Sequence, residues 1–302
     1  MSQTLVIGST VVDIVLNLPA LPRRGEDINI NALEYRIGGC AYNVFNTLRL
    51  FHSSALLCSP VGSGIYGCMV REHLEQEGIQ PFVNLDEKNG CCYCLIEPDG
   101  ERSFLSYHGA EYRFSASWMK TIDFSQAGSV YISGIEVEDS TGVEIVDFIC
   151  DHPGLELYFA PGPRIMCISP ERMERLLCRR DRNNKGPLLH LNENEALQFS
   201  GRNTIEEGAA LFAEKTGNSV VITLGERGCY CLTHNGTDGC LVPGFPAGVI
   251  DTVGAGDSHC GALIAALKEG MALEEACLRA NRIGAAVVGI HGAVLDKLPC
   301  KF

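Results

Sequence analysis

The 302-residue chain is 46% hydrophobic and 20% charged with 13 prolines, a composition that can bury a large core and excludes a disordered protein. Its formal net charge of −13 argues against nucleic acid and anionic membrane surfaces, since both need a basic footprint. No apolar stretch approaches the roughly 18 residues of a membrane span, and the opening MSQTLVIGSTVVD carries an acid where a signal peptide keeps its apolar stretch clean, so one cytoplasmic domain over residues 1–302 is expected.

The first element, LVIGSTVVDIVL, is a continuous apolar run rich in β-branched residues, the pattern of a central parallel strand buried on both faces. The helical stretch AYNVFNTLRLF follows, then ALLCSPVG and YGCMVREHLEQEGI. SVYISG, a helix near 139–151, ELYFAP, PLLHLN, a helical stretch over 204–216 and SVVITLG continue the alternation, and the last helices run over 256–268 and 273–290. Strands and helices alternating at these lengths predict a doubly wound, mostly parallel α/β sheet flanked by helices.

Two segments break the alternation. Residues 14–37 contain a Pro-Arg-Arg-Gly turn, and residues 90–114 include CCYCLIEPDGERSFLSYH, which reads as a hairpin about Pro98-Asp99-Gly100. Both read as strands outside the main sheet, forming either a small β-sheet lid over the site or an ordinary surface hairpin. A lid with apolar faces is seldom stable alone, so it is also expected to contact a second subunit in a homodimer.

The 15 cysteines are odd in number and fall mainly in apolar runs such as CCYCLI and GCYCL, the mark of reduced, mostly buried thiols. Cys91, Cys92 and Cys94, or Cys229 and Cys231, offer metal-binding atoms. Yet C-x-C alternation in a strand simply puts two small apolar side chains on one face, and no second C-x-x-C or paired histidine completes four ligands for zinc.

The chemistry is concentrated in DTVGAGDSHCGALIAAL, residues 251–267, where a small-residue turn opens into a helix with an acid in its first turn. Gly254, Ala255 and Gly256 let backbone N–H groups converge, and the helix N-terminus adds about half a positive charge aimed at an anion. Asp257 is then either the acceptor of an attacking hydroxyl's proton or only a favourable first-turn acid.

DTVGAGD followed by a small-residue helix resembles the C-terminal signature of the ribokinase-type (PfkB) carbohydrate kinases, and GGCAYNVFNTLRLF from Gly38 resembles their N-terminal one. Order and spacing agree from the first strand through NENE at 192–195, TLGERG at 223–228 and the closing helix, so the likeness covers nearly the whole chain. PALPRRGEDI, EPDGERSF and DTVGAGDSH are most similar to the uncharacterised YegV-type sugar kinases within that family.

The resemblance implies a ribokinase-like fold and transfer of the γ-phosphoryl group of ATP to a sugar hydroxyl. Asp257 would be the base, and Gly254, Ala255 and Gly256 the anion hole. It places the acceptor near Asp13, Gly38, Gly39 and Asn43. A carboxylate within an apolar strand is costly unless paired or facing a ligand, so Asp13 meets either sugar hydroxyls or a buried structural partner. Gly38 and Gly39 allow close backbone approach or form a tight turn, and Asn43 binds ligand or caps a helix.

Asn192 and Glu195 resemble an N-x-x-E motif that organises Mg²⁺ and the triphosphate, Glu195 through water, and they also read as a plain helix start. Thr223, Gly225 and Gly228 match a nucleotide-binding turn, and Asn281 lies where a late helix would flank adenine. Asp251, the Val253 carbonyl and Gly292 occupy the family's positions for a monovalent cation, which would be K⁺.

Several departures limit what the resemblance implies about substrate. Val11 stands where ribokinase has an acceptor-binding asparagine, and Cys40 where many relatives have lysine. In YFAPGPRI, Ala160 and Gly162 replace two residues of an Asp-x-Asn-x-Arg pattern while Arg164 remains, to contact a phosphate or to be a surface charge. The chain stops at Phe302, where relatives usually add a helix, so it is either short or lacks a tail.

Without a lysine beside Asp13, the expected acceptor is an uncharged polyol, sugar or nucleoside, not already phosphorylated. A nucleoside kinase of the same fold is the alternative. A non-catalytic sugar or nucleotide sensor would have lost the base or the anion hole, and a dinucleotide enzyme would need G-x-G-x-x-G where this chain has G-S-T-V-V-D.

Overall fold

The structure is a computed structural model that describes residues 2–98, 102–234 and 239–299. The run expected to form one strand over residues 5–16 forms two: β1 (Gln3–Ile7) and β2 (Val11–Asn17). The break falls at Gly8, whose φ is 147° and where an added Cβ would lie 2.7 Å from Glu136 Oε1. Apolar β-branched residues continue through the break because both strands are buried, so hydrophobicity alone does not reveal it.

The chain continues through β3 (Ala32–Gly38), α1 (Cys40–Leu50), β4 (Ala55–Cys58), β5 (Pro60–Ser63), α2 (Gly64–Gln76), β6 (Val83–Lys88), β7 (Cys91–Ile96) and β8 (Arg102–Tyr107). Then come β9 (Ala127–Ser133), α3 (Gly134–Glu138), α4 (Gly142–Asp151), β10 (Glu156–Ala160), α5 (Pro170–Cys178), β11 (Leu188–Asn192), α6 (Glu193–Ser200), α7 (Ile205–Thr216) and β12 (Val220–Thr223). β13 (Cys229–Leu232), β14 (Cys240–Val242), α8 (Ala255–Lys268) and α9 (Leu273–Val287) complete the described elements.

Eight strands form the main sheet in the order β14-β13-β12-β11-β10-β9-β1-β4. All neighbours from β12 to β4 are parallel, and β13 and β14 add an antiparallel edge. Helices cover both faces, giving one core that includes Val44, Leu48, Leu263 and Ile283 and a second with Ile132, Phe159, Ile149 and Phe212. Such cover on both sides is why the central strands read as unbroken apolar runs.

A separate four-stranded sheet runs β3-β2-β7-β8, and β5 pairs with β6 in a two-stranded ribbon. The small sheet draws strands from both segments that break the alternation, although β2 starts at Val11, ahead of the expected boundary. Asp99 and Gly100 of the expected hairpin turn, and Phe302, lie outside the described residues. No helix among the described residues is long and apolar enough to cross a membrane.

Helix limits follow local chemistry. Ser169 caps α5, whose first turn carries Pro170, and Thr204 caps α7, which ends at Gly217 in the left-handed conformation. The described cysteines are free thiols, with Cys58, Cys229, Cys231, Cys260 and Cys277 among the buried ones.

One buried carboxylate secures the crossing from main sheet to small sheet. Glu136, at the start of α3, accepts the Ser9 N–H and the Ser9 hydroxyl at 2.9 Å each, and the Ser133 hydroxyl as well. All of these groups are buried, so removing the carboxylate strands three donors. Glu136→Ala is expected to lower unfolding stability by about 3 kcal/mol in urea denaturation; a loss below about 1 kcal/mol would mean that the crossing does not depend on this network.

Candidate active site

The turn before α8 is shaped by two constraints at Gly254. It caps the helix with φ 72°, and an added Cβ would sit 2.3 Å from the Ala293 Cβ, so both conformation and contact demand glycine. No side chain caps α8, and the first-turn N–H groups of a helix have no intrahelical acceptor. The result is a set of backbone donors at the positive end of the helix, suited to an anion.

Asp257 stands in that first turn, and the Asn43 Nδ2 of α1 donates to its Oδ2 at 2.8 Å. Burial pushes its carboxyl up to about 6, against hydrogen bonds from Asn43 and Cys40 that favour the charged form. The group is therefore ionised at neutral pH yet basic enough to take a proton.

The small sheet brings Asp13 to the same region. It packs over Gly38, where a Cβ would meet Asp13 Oδ2 at 2.2 Å. Gly39 has φ 103°, and a Cβ there would lie 2.6 Å from the Ser9 carbonyl oxygen. Burial pushes Asp13 up to about 8, and the charges of Cys92 and Asp257 add to the effect while Arg36 opposes it.

Two cavities meet at the N-terminus of α8, and Asp13, Gly38, Gly39 and Asn43 line neither of them. The larger, about 650 Å³, is lined by Gly225, Gly228, Phe245, Asn281 and Val288 and reaches Thr223 and Gly256. The smaller, about 170 Å³, is lined by Cys40, Asn192, Glu195, Gly254 and Asp257 and shares Thr223 and Gly256 with the first. The N-terminus of α8 thus faces both.

Asn192 and Glu195 form a complete capping box at the start of α6: Asn192 Oδ1 accepts the Glu195 N–H at 2.8 Å, and Glu195 accepts from the Asn192 N–H and Nδ2. The helix-start reading is therefore correct, and both residues also line the smaller cavity. Burial raises the Glu195 carboxyl, and no cationic side chain pairs with it among the described residues. An oxygen donor so placed fits a hydrated Mg²⁺.

Asn281 lines the larger cavity, but its polar atoms are committed. Its Nδ2 donates to the Val242 and Pro243 carbonyls at 3.1 Å each, and its Oδ1 faces His259 Nε2 at 3.0 Å. His259 Nε2 must then carry the proton, and its Nδ1 accepts from His190 Nε2 at 2.9 Å. Burial holds His190 well below its usual value, so it stays neutral. Asn281 gives the cavity shape and His259 backs it; the histidine was not singled out in the sequence because nothing near it signals a buried relay.

Two further expected residues are held in ion pairs. Arg164 is exposed, makes a two-pronged ion pair with Glu138, and lines neither cavity, which fits the surface-charge alternative. Asp251 accepts from Val253 N–H at 2.8 Å and Gly292 N–H at 3.1 Å, and ion-pairs with Arg102 at 2.7 Å and Arg36 at 3.2 Å. With four donors on one carboxylate, two of them guanidinium groups, the charge of Asp251 is compensated by the protein itself. Both arginines come from the small sheet, and Arg102 also donates to Thr252 Oγ1 at 2.9 Å. Their long sequence separation from Asp251 hid the contact.

A family model described as "pfkB family carbohydrate kinase" matches residues 1–299. The chain is 31% identical over 295 residues to the uncharacterised sugar kinase YegV of Escherichia coli (strain K12), covering 96% of this chain and 89% of that protein. Its fold matches ribokinase from Giardia lamblia with a TM-score of 0.83 at 20% identity, covering 97% of this chain and 96% of that one. It also matches a Burkholderia thailandensis nucleoside kinase in complex with inosine, TM-score 0.78 at 18% identity, covering 96% and 92%.

The raised carboxyl of Asp257 has a stability consequence with a definite sign. Its folded-state value lies above the unfolded one, so its stabilising contribution is full below about 3.8 and is lost as pH rises through about 6. Above that pH the buried charge weakens the fold. Asp257→Asn keeps the shape and removes the charge, so the variant is expected to unfold later than the parent at pH 8 by up to about 3 kcal/mol, with the difference vanishing near pH 4. Equal denaturation midpoints at both pH values would contradict the assigned burial.

Proposed function

The chain belongs to the pfkB family of carbohydrate kinases, and on that premise we propose that it moves the γ-phosphoryl group of ATP directly onto a hydroxyl of a free sugar. The observation that carries this reading is the meeting of a nucleotide-sized cavity with a smaller one at the N-terminus of α8, with Asp257 lining the smaller. ATP occupies the larger cavity between the turn of Thr223, Gly225 and Gly228 and the face of α9 that carries Asn281. The acceptor lies by Asp13, Gly38, Gly39 and Asn43.

Asn43 holds one oxygen of Asp257, leaving the other to take the hydroxyl proton as the oxygen attacks phosphorus. Backbone donors of residues 254–256 meet the charge on the transferring group, which is favoured because they are oriented in advance. Mg²⁺, held through water near Glu195, would neutralise phosphate charge. Compensation of Asp251 falls to Arg36 and Arg102 in place of potassium.

The four-stranded sheet acts as a lid, since two of its arginines reach the loop that leads into the anion hole. Its other face carries the exposed Leu33, Tyr35, Leu105 and Tyr107. A second copy of the chain covers that face in a cytoplasmic homodimer. Leu105→Asp with Tyr107→Asp is expected to give a monomer by light scattering; a parent protein that is already monomeric would remove the dimer.

The acceptor is an uncharged polyol, because neither Asp13 nor Cys40 supplies a cation to hold a phosphate. An ADP-formation screen should return a free sugar with kcat/KM at least about tenfold above any sugar phosphate or nucleoside. Preference for a sugar phosphate would overturn the polyol assignment, and preference for a nucleoside would favour the nucleoside kinase reading. Asp257→Asn should lower kcat by about 10² to 10⁴ while leaving ATP affinity nearly unchanged. Turnover within about tenfold of the parent would remove Asp257 from the role of base.

A further inference from the structure

The Cys-x-Cys pair of β7 has a third partner that the sequence places far away. β2 and β7 run parallel with Asp13 beside Cys92 and Val15 beside Cys94, so the three side chains rise from one face of the small sheet. Their ligand atoms, one carboxylate oxygen and two sulfurs, all lie within 4.8 Å of one another. The two sulfurs are 4.0 Å apart, close to the roughly 3.8 Å that tetrahedral bonds of about 2.3 Å to zinc require.

We propose that Asp13, Cys92 and Cys94 bind a thiophilic divalent cation of the zinc type, with the fourth coordination position open. Three protein ligands and one exchangeable position form the usual arrangement of an accessible zinc site, as distinct from a closed structural one. The carboxylate of Asp13 accepts no hydrogen bond among the described residues, so its lone pairs are free. The Ser106 hydroxyl donates to Cys92 Sγ at 3.6 Å and so helps to orient that sulfur. Coordination forms one bond to oxygen and two to sulfur and releases the protons of the two thiols and of the Asp13 carboxyl to solvent.

The consequence for turnover rests on the proposed function. An ion bound here takes the Asp13 carboxylate away from the acceptor's hydroxyls, so it raises the KM for the acceptor and leaves the KM for ATP unchanged. The enzyme then works only while such cations are scarce.

Cobalt(II) titration of the reduced, metal-free full chain tests the site without any turnover. A near-ultraviolet thiolate-to-cobalt charge-transfer band should saturate at one ion per chain and be bleached by zinc. The double variant C92S/C94S should lose the band and weaken binding by about a hundredfold or more, and C229S should keep it. A band that persists in the double variant, or no band in the parent, overturns the proposal. Should the double variant fail to fold, X-ray absorption of the cobalt-loaded parent decides: two sulfur ligands are expected, and none or four contradict the site. If the kinase reading fails, these binding results still stand. If it holds, zinc should raise the acceptor KM of the parent but not of C92S/C94S, whose activity in chelator should match the parent, and an unchanged parent KM would overturn the inhibitory consequence.

Discussion

The site depends on a carboxylate kept half-buried at the positive end of a helix. Asp257 is held in the first turn of α8, where burial raises its affinity for a proton while Asn43 and the helix end keep the charged form within reach. A fully solvated acid there would be too weak a base, and one without donors would stay protonated. Gly254 allows this geometry, because its left-handed conformation turns the chain into α8 and its missing side chain lets Ala293 close against the turn.

Around that point the fold supplies two sides. The parallel sheet delivers the end of β11 to the smaller cavity and the end of β12 to both, while the break at Gly8 sends the chain out of the main sheet into the small one. Glu136 fixes the break, Ser9 abuts Gly39, and Gly39 leads into α1, which presents Asn43. Arg36 and Arg102 return from the small sheet to Asp251, just ahead of the turn. These contacts connect the crossing to the segments that carry Asp13 and Asn43.

Much of this was legible in the sequence, for local reasons. A small-residue turn opening into a helix with an acid in its first turn is a local pattern, and so are strand and helix lengths; both survived contact with the structure. The capping box of Asn192 and Glu195 is likewise readable at short range. What was not legible is long-range or hidden by uniform burial. One apolar run concealed two strands in different sheets, and Asp251 gave no sign of the two arginines that reach it. The C-x-C pair read as small strand residues because its third ligand belongs to another strand. Arg164 offered two readings that only its pairing with Glu138 separates.

The central claim is direct, in-line transfer between two groups held on either side of the α8 N-terminus. The measurement closest to it is the stereochemical course at phosphorus, followed with ATP carrying a chiral, isotopically labelled γ-thiophosphate and the acceptor that the enzyme turns over. A single displacement by the acceptor hydroxyl, assisted by Asp257, predicts inversion of configuration. Retention would require a phosphorylated enzyme intermediate and would contradict the account.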